Sequence, residues 1–240
     1  VATSNNLHIN LYEEIITAKK ESEYFKIISD KSTYIAKNII VSTGFYDIPK
    51  MLNVPGEELP KVMHYYKEAH PFVMQKIVVV GASNSAVDAA LEIWRKGGEV
   101  TMVVRGSEIG ERVKYWVKPD IENRIKEGSI KAYFNSEIEK ITKSEVLIKS
   151  SKGPIRIKND FVVALTGYKP NFAFLKQLGI KLSDDGNCYP TYNSETMESN
   201  IKGLYLAGVI CGGMETHKWF IENSRIHAKI ILEHISNKNQ

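Results

Sequence analysis

"KIVVVGASNSAVDAALEIWRKGGEVTMVVRG", residues Lys76 to Gly106, is the stretch on which the fold turns. Lys76 to Val80 reads as a short buried strand. Ser83 to Lys96 reads as a helix, because Ala86, Val87, Ala90, Leu91 and Trp94 recur on one face. Val100 to Val104 is the next strand. Gly81 permits a tight turn at the end of the first strand. Ser83 and Ala86 stand where the dinucleotide fingerprint G-x-G-x-x-G/A has its second glycine and its third small residue. The helix start aims open N–H groups at a pyrophosphate. Ser83, Asn84 and Ser85 add side-chain donors. Ser83 departs from the fingerprint, since its Cβ stands where backbone should approach phosphate. A lone glycine turn also serves as a plain strand–helix connection. Here strand, turn, helix and strand follow in order, which favours dinucleotide binding.

The end of the second strand selects the cofactor. An NAD site places an acid ~20 residues past the glycines to grip the ribose diol. In this chain VTMVV ends in Arg105. A guanidinium suits a 2′-phosphate and offers little to a diol. The reading is NADPH rather than NADH, against a plain solvated arginine.

Working outward, Pro49, Pro55, Gly56 and Pro60 punctuate a loop, and HYYKEAHPF reads as a crossover. EYFKIIS and TYIAKNIIVSTG read as strands upstream. The run Asn38 to Thr43 resembles a buried parallel strand. Downstream, Asp120 to Lys126 is helical. Strands are expected at Lys131–Phe134, Val146–Ser150, Phe161–Leu165 and Leu204–Gly208. A last helix is expected from about Thr216 to His234. Alternating strands and helices predict an α/β fold with a parallel sheet. Two segments share one shape, an apolar strand, Thr-Gly, an aromatic and a proline: IIVSTGFYDIP and VVALTGYKP.

The 240 residues suit one large domain or two small ones. The balance of 32 basic and 28 acidic residues gives +4, a mild excess spread along the chain. It favours an anionic ligand slightly and gives little support to nucleic acid. Two distant cysteines, Cys188 and Cys211, make neither a disulfide framework nor a metal pattern. The cytoplasm is the default compartment. The first residues carry no signal-peptide pattern, and no apolar run reaches the ~20 residues of a membrane helix. A membrane partner is not expected, and a homo-oligomer is left open. The chain starts at Val1 rather than Met, as a fragment or processed chain would.

GASNSAVDAALE with VVRG is similar to the NADPH domain of thioredoxin-reductase-like flavoproteins. VPGEELPKVMHYYKEAHPF, VKYWVKPDIENRIKEGSI, NDFVVALTGYKPNFAFL and GLYLAGVICGGMETHKWFIENSR resemble the bacillithiol-disulfide reductase family, over nearly the whole chain. The resemblance implies two interleaved Rossmann-like domains. Residues 1–70 and 191–240 would be a partial FAD-binding domain, and 71–190 an inserted NADPH-binding domain. NADPH would reduce the flavin, and the flavin a low-molecular-weight thiol disulfide.

By resemblance, Gly81, Ser83, Asn84, Ser85 and Ala86 match the NADPH turn, and Arg105 the 2′-phosphate residue. Gly44 and Gly167 sit in the two Thr-Gly motifs near the cofactors. Gly208 lies in a motif that usually reads Gly-Asp, whose Asp holds the FAD ribityl chain; Val209 replaces that Asp. Lys218, Trp219, Phe220 and Ile221 match a helix start whose N–H groups face the flavin. Two family features do not appear. The C-x-x-C of thioredoxin reductases is missing, which excludes their dithiol relay. The FAD-binding strand and G-x-G-x-x-G turn, with the family's proposed redox cysteine, do not appear; they are expected upstream of Val1. Weak FAD retention by this chain alone is the corresponding expectation.

Other residues weigh less. Cys211 sits before an expected helix start, where a thiolate is stabilised, but a free cysteine is more often apolar filler. His64, Tyr65, Tyr66 and His70 line a cleft or form an ordinary crossover. His217 is a proton donor or a surface cap. Lys114, Tyr115 and Trp116 contact the NADPH adenine or phosphate, or Trp116 packs in the core. Alternative readings are a flavin monooxygenase, a ferredoxin or flavodoxin reductase, and a non-catalytic NADPH-binding fragment.

Overall fold

Val78, Val79 and Val80 lie almost wholly out of solvent, at the centre of a five-stranded sheet. The computed structural model describes residues 3–238. The chain divides into two units. Unit 1 takes the residues up to Ile48 and from Tyr168 onward; unit 2 is Pro49–Gly167. The sequence reading set the divisions near residues 70 and 190. The structure draws them earlier, because Val62 and Val162 pair within one sheet and the Gly167 carbonyl accepts the Lys50 N–H at 2.9 Å.

In unit 1, β1 (Ile15–Glu21), β2 (Tyr24–Ser29) and β3 (Thr33–Ala36) form an antiparallel meander. β4 (Ile39–Val41) pairs in parallel with β15 (Leu204–Leu206). The expected buried strand at 38–43 is therefore shorter and half open. Val41 is buried, whereas Ile40 is 45% exposed. Among the described strands β15 is the one neighbour of β4. The core of unit 1 gathers Phe25, Val41, Leu175, Tyr205, Ile210 and Ile231. Helix α3 (Phe172–Gln177) is started by Asn171, whose Oδ1 accepts the Phe174 N–H at 3.1 Å.

The single C-terminal helix expected from Thr216 is replaced by α4 (Ile221–Ser224) and α5 (Ile226–Lys238). The cause is local side-chain competition with the helix backbone. Asn223 Oδ1 accepts the Phe220 N–H at 2.7 Å, its Nδ2 donates to the Lys218 carbonyl, and Ser224 Oγ donates to the Phe220 carbonyl. Residues 214–220 therefore stay irregular. On α5, His227 and Ile231 fall on the buried face at i, i+4 spacing.

The two-residue strands β5 (Ile48–Pro49) and β14 (Tyr168–Lys169) lie where the chain passes between units. In unit 2, β6 (Val62–Met63), β7 (Lys76–Val80), β8 (Glu99–Val103), β9 (Lys131–Tyr133) and β13 (Phe161–Ala164) make a fully parallel sheet ordered β6-β13-β7-β8-β9. Its apolar runs face two layers, as parallel sheets require. Ile77, Val79, Val100 and Met102 meet helix α1 (Asn84–Arg95) and helix α2 (Lys118–Lys126) through Ala86, Ala90, Ile93 and Ile121. Val78, Val80, Val103 and Val162 meet the antiparallel sheet of β10 (Ser136–Ile141), β11 (Glu145–Ser150) and β12 (Gly153–Lys158). Ala86, Val87, Ala90, Leu91 and Ile93 form the buried face of α1. Trp94 is only partly buried, beneath the Arg124 guanidinium at 5.1 Å.

Candidate functional site

The turn between β7 and α1 has the geometry of a phosphate cradle. Gly81 has φ +130°, and a Cβ there would stand 2.6 Å from the Leu165 carbonyl oxygen. Only glycine allows this close approach of turn and neighbouring strand. Ser83 is the extended N-cap residue of α1, and its side chain does not cap the helix. The first-turn N–H groups at Asn84, Ser85 and Ala86 are thus open to a ligand. Ser83 and Ser85 are exposed, and Ala86 is buried against the sheet.

Asn84 does not offer its side chain to a ligand. Its Oδ1 accepts the Lys114 N–H at 2.9 Å, and its Nδ2 donates to the Arg112 carbonyl at 3.0 Å. Gly110 N–H donates to the Ala82 carbonyl at 2.9 Å, and a Cβ on Gly110 would meet that oxygen at 2.8 Å. The loop after β8 is therefore laid over the turn. Ile109 and Val113 anchor it in the core. Arg105 follows β8 by two residues and is exposed; Arg112, further along the same loop, is exposed too. Lys114 Nζ pairs with Asp88 of α1 at 3.0 Å. Trp116 is 64% exposed, so it does not pack in the core.

Sequence reading missed Gly110 and Asp88. A glycine five residues past Arg105 was the available signal, but only the fold shows that it meets Ala82.

Elsewhere in unit 2, Glu57 is buried and accepts the Leu52 and Asn53 N–H groups at 2.6 and 2.7 Å. His64 Nε2 stands 3.5 Å from it. Tyr66 stacks on Phe72, and burial pushes its phenol up. These residues form a packed crossover.

In unit 1, Gly44 (φ +74°) and Gly208 (φ +82°) have open space where a Cβ would point. Gly208 N–H donates to His227 Nδ1 at 3.1 Å. His227 is 2% exposed, its ring meets Trp219 edge-on at 4.6 Å, and burial holds its pKa below the usual value. This histidine was not singled out in the sequence; a lone polar residue on the apolar face of IHAKII was its signal. Val209 carries no polar atom beyond its backbone. Trp219 Nε1 is buried without a partner.

Lys218, Phe220 and Ile221 are exposed. They do not begin a long helix. Phe220 is the N-cap of the four-residue α4, which Ile221 begins, so the helix expected from about Thr216 starts at Ile221 and is short. His217 lies exposed in the same loop. Cys211 sits 2% exposed in a 3-10 turn, and burial pushes its thiol to about 12. It is a packed apolar side chain rather than a stabilised thiolate. Gly167 belongs to unit 2, where it bonds Lys50. Among the described residues no His/Cys/Asp/Glu group is arranged for a metal, and no helix is long and apolar enough to cross a membrane.

Comparison with known proteins identifies the family. Residues 1–208 match the family described as pyridine nucleotide-disulphide oxidoreductase. Bacilliredoxin reductase Bdr of Bacillus subtilis is 43% identical over 92% of this chain and 68% of its own length. The solved bacillithiol disulfide reductase Bdr (YpdA) from Bacillus cereus has a TM-score of 0.94 at 37% identity, covering 99% of this chain and 74% of that one. Its counterpart from Staphylococcus aureus has a TM-score of 0.95 at 37% identity, covering 100% and 74%. Lactococcus lactis thioredoxin reductase, at 22% identity and TM-score 0.74 over 97% of this chain and 78% of that one, shares the fold.

FAD and NAD(P)H are the cofactors of this kind of protein. The residues fit them. In unit 2 the Gly81 approach, the uncapped start of α1 and Arg105 suit a phosphorylated dinucleotide. In unit 1 the open backbone at Gly44 and Gly208 suits a ligand lying against the chain, while Val209 supplies no side-chain acceptor for it.

Proposed function

Because this chain belongs to the pyridine nucleotide-disulphide oxidoreductase family, we propose that it works as an NADPH-dependent FAD oxidoreductase that reduces a low-molecular-weight thiol disulfide of the bacillithiol type. The observation that carries the cofactor half is the Gly81–Ala86 turn with Arg105 just past β8. The likeness to the bacillithiol disulfide reductases supports the substrate half.

When bound, NADPH and FAD would supply the hydride and electron-transfer chemistry that disulfide reduction needs. The chain's own residues bind and orient. Gly81 lets the backbone reach the pyrophosphate, and the open N–H groups at Ser85 and Ala86 hold it. Ser83 and Ser85 add hydroxyl donors. Arg105 pairs with the 2′-phosphate, with charge and fork geometry that an NADH diol cannot use. Unit 2 is proposed as the NADPH-binding domain and unit 1 as the FAD-binding one. In unit 1, Gly44, Gly208 and residues 218–221 would hold the flavin. His227 holds the Gly208 N–H and with it the turn after β15.

Cys211 does not carry the redox step. Cys211 is buried as a thiol, and no C-x-x-C is present. Disulfide reduction then depends on bound flavin rather than a dithiol relay in this chain. The cytoplasm is the proposed compartment, because a low-molecular-weight thiol pool is maintained there.

The printed name of the B. subtilis relative favours a second acceptor, a bacilliredoxin protein. The test is NADPH consumption by the FAD-loaded protein with bacillithiol disulfide alone, and with a bacilliredoxin mixed disulfide. Turnover with the small disulfide supports the first reading. Turnover only with the protein disulfide moves the substrate to bacilliredoxin. Consumption with neither, but with an iron–sulfur acceptor, overturns both.

A further inference from the structure

Lys76, Glu99 and Lys131 are the first residues of β7, β8 and β9, so they gather at the N-terminal edge of the parallel sheet. The nucleotide turn opens from the opposite edge, after Val80. Register pairs Lys76 with Glu99 and Thr101 with Lys131. Period-two alternation puts all four on the face of Val78 and Val103, which the antiparallel sheet covers. Arg156 and Lys158 of β12, and Asn159 after it, come in from that second sheet. Between the two layers lies a cleft of about 250 Å³, wholly within unit 2.

The wall of the cleft is polar and fixed. Thr101 is 5% exposed and Asn159 3% exposed. Asn159 Oδ1 accepts from Lys61 Nζ at 2.9 Å, and its Nδ2 donates to the Phe161 carbonyl at 2.9 Å. The rim is cationic. Lys76, Lys131, Arg156 and Lys158 line it with one carboxylate, Glu99, which stands 3.6 Å from Lys131. Among the described residues, Lys76, Arg156 and Lys158 make no ion pair. Glu145 faces Lys158 across β11 and β12 without pairing, and Asp160 accepts the Lys76 backbone N–H at 2.7 Å. Like charges converging on one concavity repel one another, and its low-dielectric walls focus their field. A ligand with more than one negative charge relieves that repulsion.

We infer that this cleft is a second anion site, which takes a small phosphorylated ligand. Arg156 offers a planar fork to two phosphoryl oxygens, and the lysines add point charges around them. The volume falls below the roughly 300–1,000 Å³ of drug-sized sites, so it suits free phosphate or a small ester rather than a dinucleotide. The cleft is at the other end of β7 and β8 from Gly81, and it stands whether or not the turn takes NADPH.

The test titrates the purified protein with inorganic phosphate, glycerol 3-phosphate and malonate at fixed ionic strength, read by amide NMR shifts. Saturable shifts are expected at residues 76–78, 99–101 and 156–159 with both phosphorylated probes. Tighter binding of glycerol 3-phosphate identifies an ester as the ligand, and equal binding identifies the phosphoryl group alone. Arg156→Gln and Lys158→Gln should each weaken these shifts about tenfold in affinity. Both side chains are exposed, so the melting temperature should not fall. Arg105→Gln should leave the cleft shifts unchanged. Malonate binding as tightly as phosphate would reduce the cleft to an unselective positive field and overturn the assignment. Shifts confined to residues 81–86, or none at all, would overturn it too.

Discussion

Asn84 holds Lys114 in place: its side-chain oxygen accepts the Lys114 backbone N–H at 2.9 Å while its nitrogen donates to the Arg112 carbonyl. One carboxamide therefore fixes both sides of the loop that follows β8. It stands at the first position of α1, where sequence reading assigned it to the ligand. Its side chain shapes the site. Replacing Asn84 with Ala removes two hydrogen bonds, at about 0.5–1.5 kcal/mol each. The expected result is a lower melting temperature and faster amide exchange across residues 110–117. Nucleotide affinity should fall with it, and exchange at the parent rate would contradict the role.

Gly81→Ala tests the cradle. The residue sits at φ +130°, and the added methyl would stand 2.6 Å from the Leu165 carbonyl oxygen. Strain and contact together should cost at least about 1–3 kcal/mol. A chemical denaturation midpoint equal to that of the parent would contradict the geometry.

Arg105→Gln separates the two pyridine nucleotides. NADPH affinity should drop about tenfold or more, because a charge-assisted bond to the 2′-phosphate is lost. NADH affinity should hardly move. An equal effect on both would remove Arg105 from the 2′-phosphate.

His227 predicts a pH dependence. Burial lowers its pKa in the folded chain below the ordinary histidine value of ~6.5, so the native state holds the neutral ring. The unfolded state then binds more protons as pH falls past that value, and stability declines. His227 contributes fully above pH 6.5 and progressively less as pH falls through the folded value. Thermal melts from pH 8 to pH 5 should show the decline, and His227→Leu should flatten this component. It should also destabilise the turn, since Gly208 N–H loses its 3.1 Å acceptor. An unchanged slope in the variant would contradict the assignment.

Cys211 should behave as filler. With its thiol pushed to about 12, alkylation near neutral pH should be slow in the folded protein and fast after denaturation. Cys211→Ala should keep turnover with a small loss of stability. Loss of turnover with unchanged stability would give this thiol a chemical role.

The strand–turn–helix–strand segment was legible because its elements are short, apolar and consecutive. β7, Gly81, α1 and β8 lie consecutively, and alternation of apolar residues with a 3.6-residue repeat marks each element. Arg105, two residues past β8, stands close to where the strand was expected to end. The loop over the turn was not legible, because Gly110–Ala82 and Asn84–Lys114 are contacts between segments that sequence separates. The C-terminal helix was misplaced because Asn223 and Ser224 compete locally for backbone partners, an effect invisible to periodicity. The division between units also escaped the sequence. The pairing of β6 with β13 draws residues 49–70 into unit 2, and a two-residue strand leaves almost no pattern.

The central claim is that unit 2 binds NADPH through the Gly81–Ala86 turn and Arg105. Calorimetric titration of the purified protein with NADPH, and separately with NADH, tests it most directly. The account predicts binding of both through the same turn, with NADPH tighter by about tenfold or more. Equal affinities, or tighter NADH, would contradict the role of Arg105, and heatless titrations with both would contradict the turn itself.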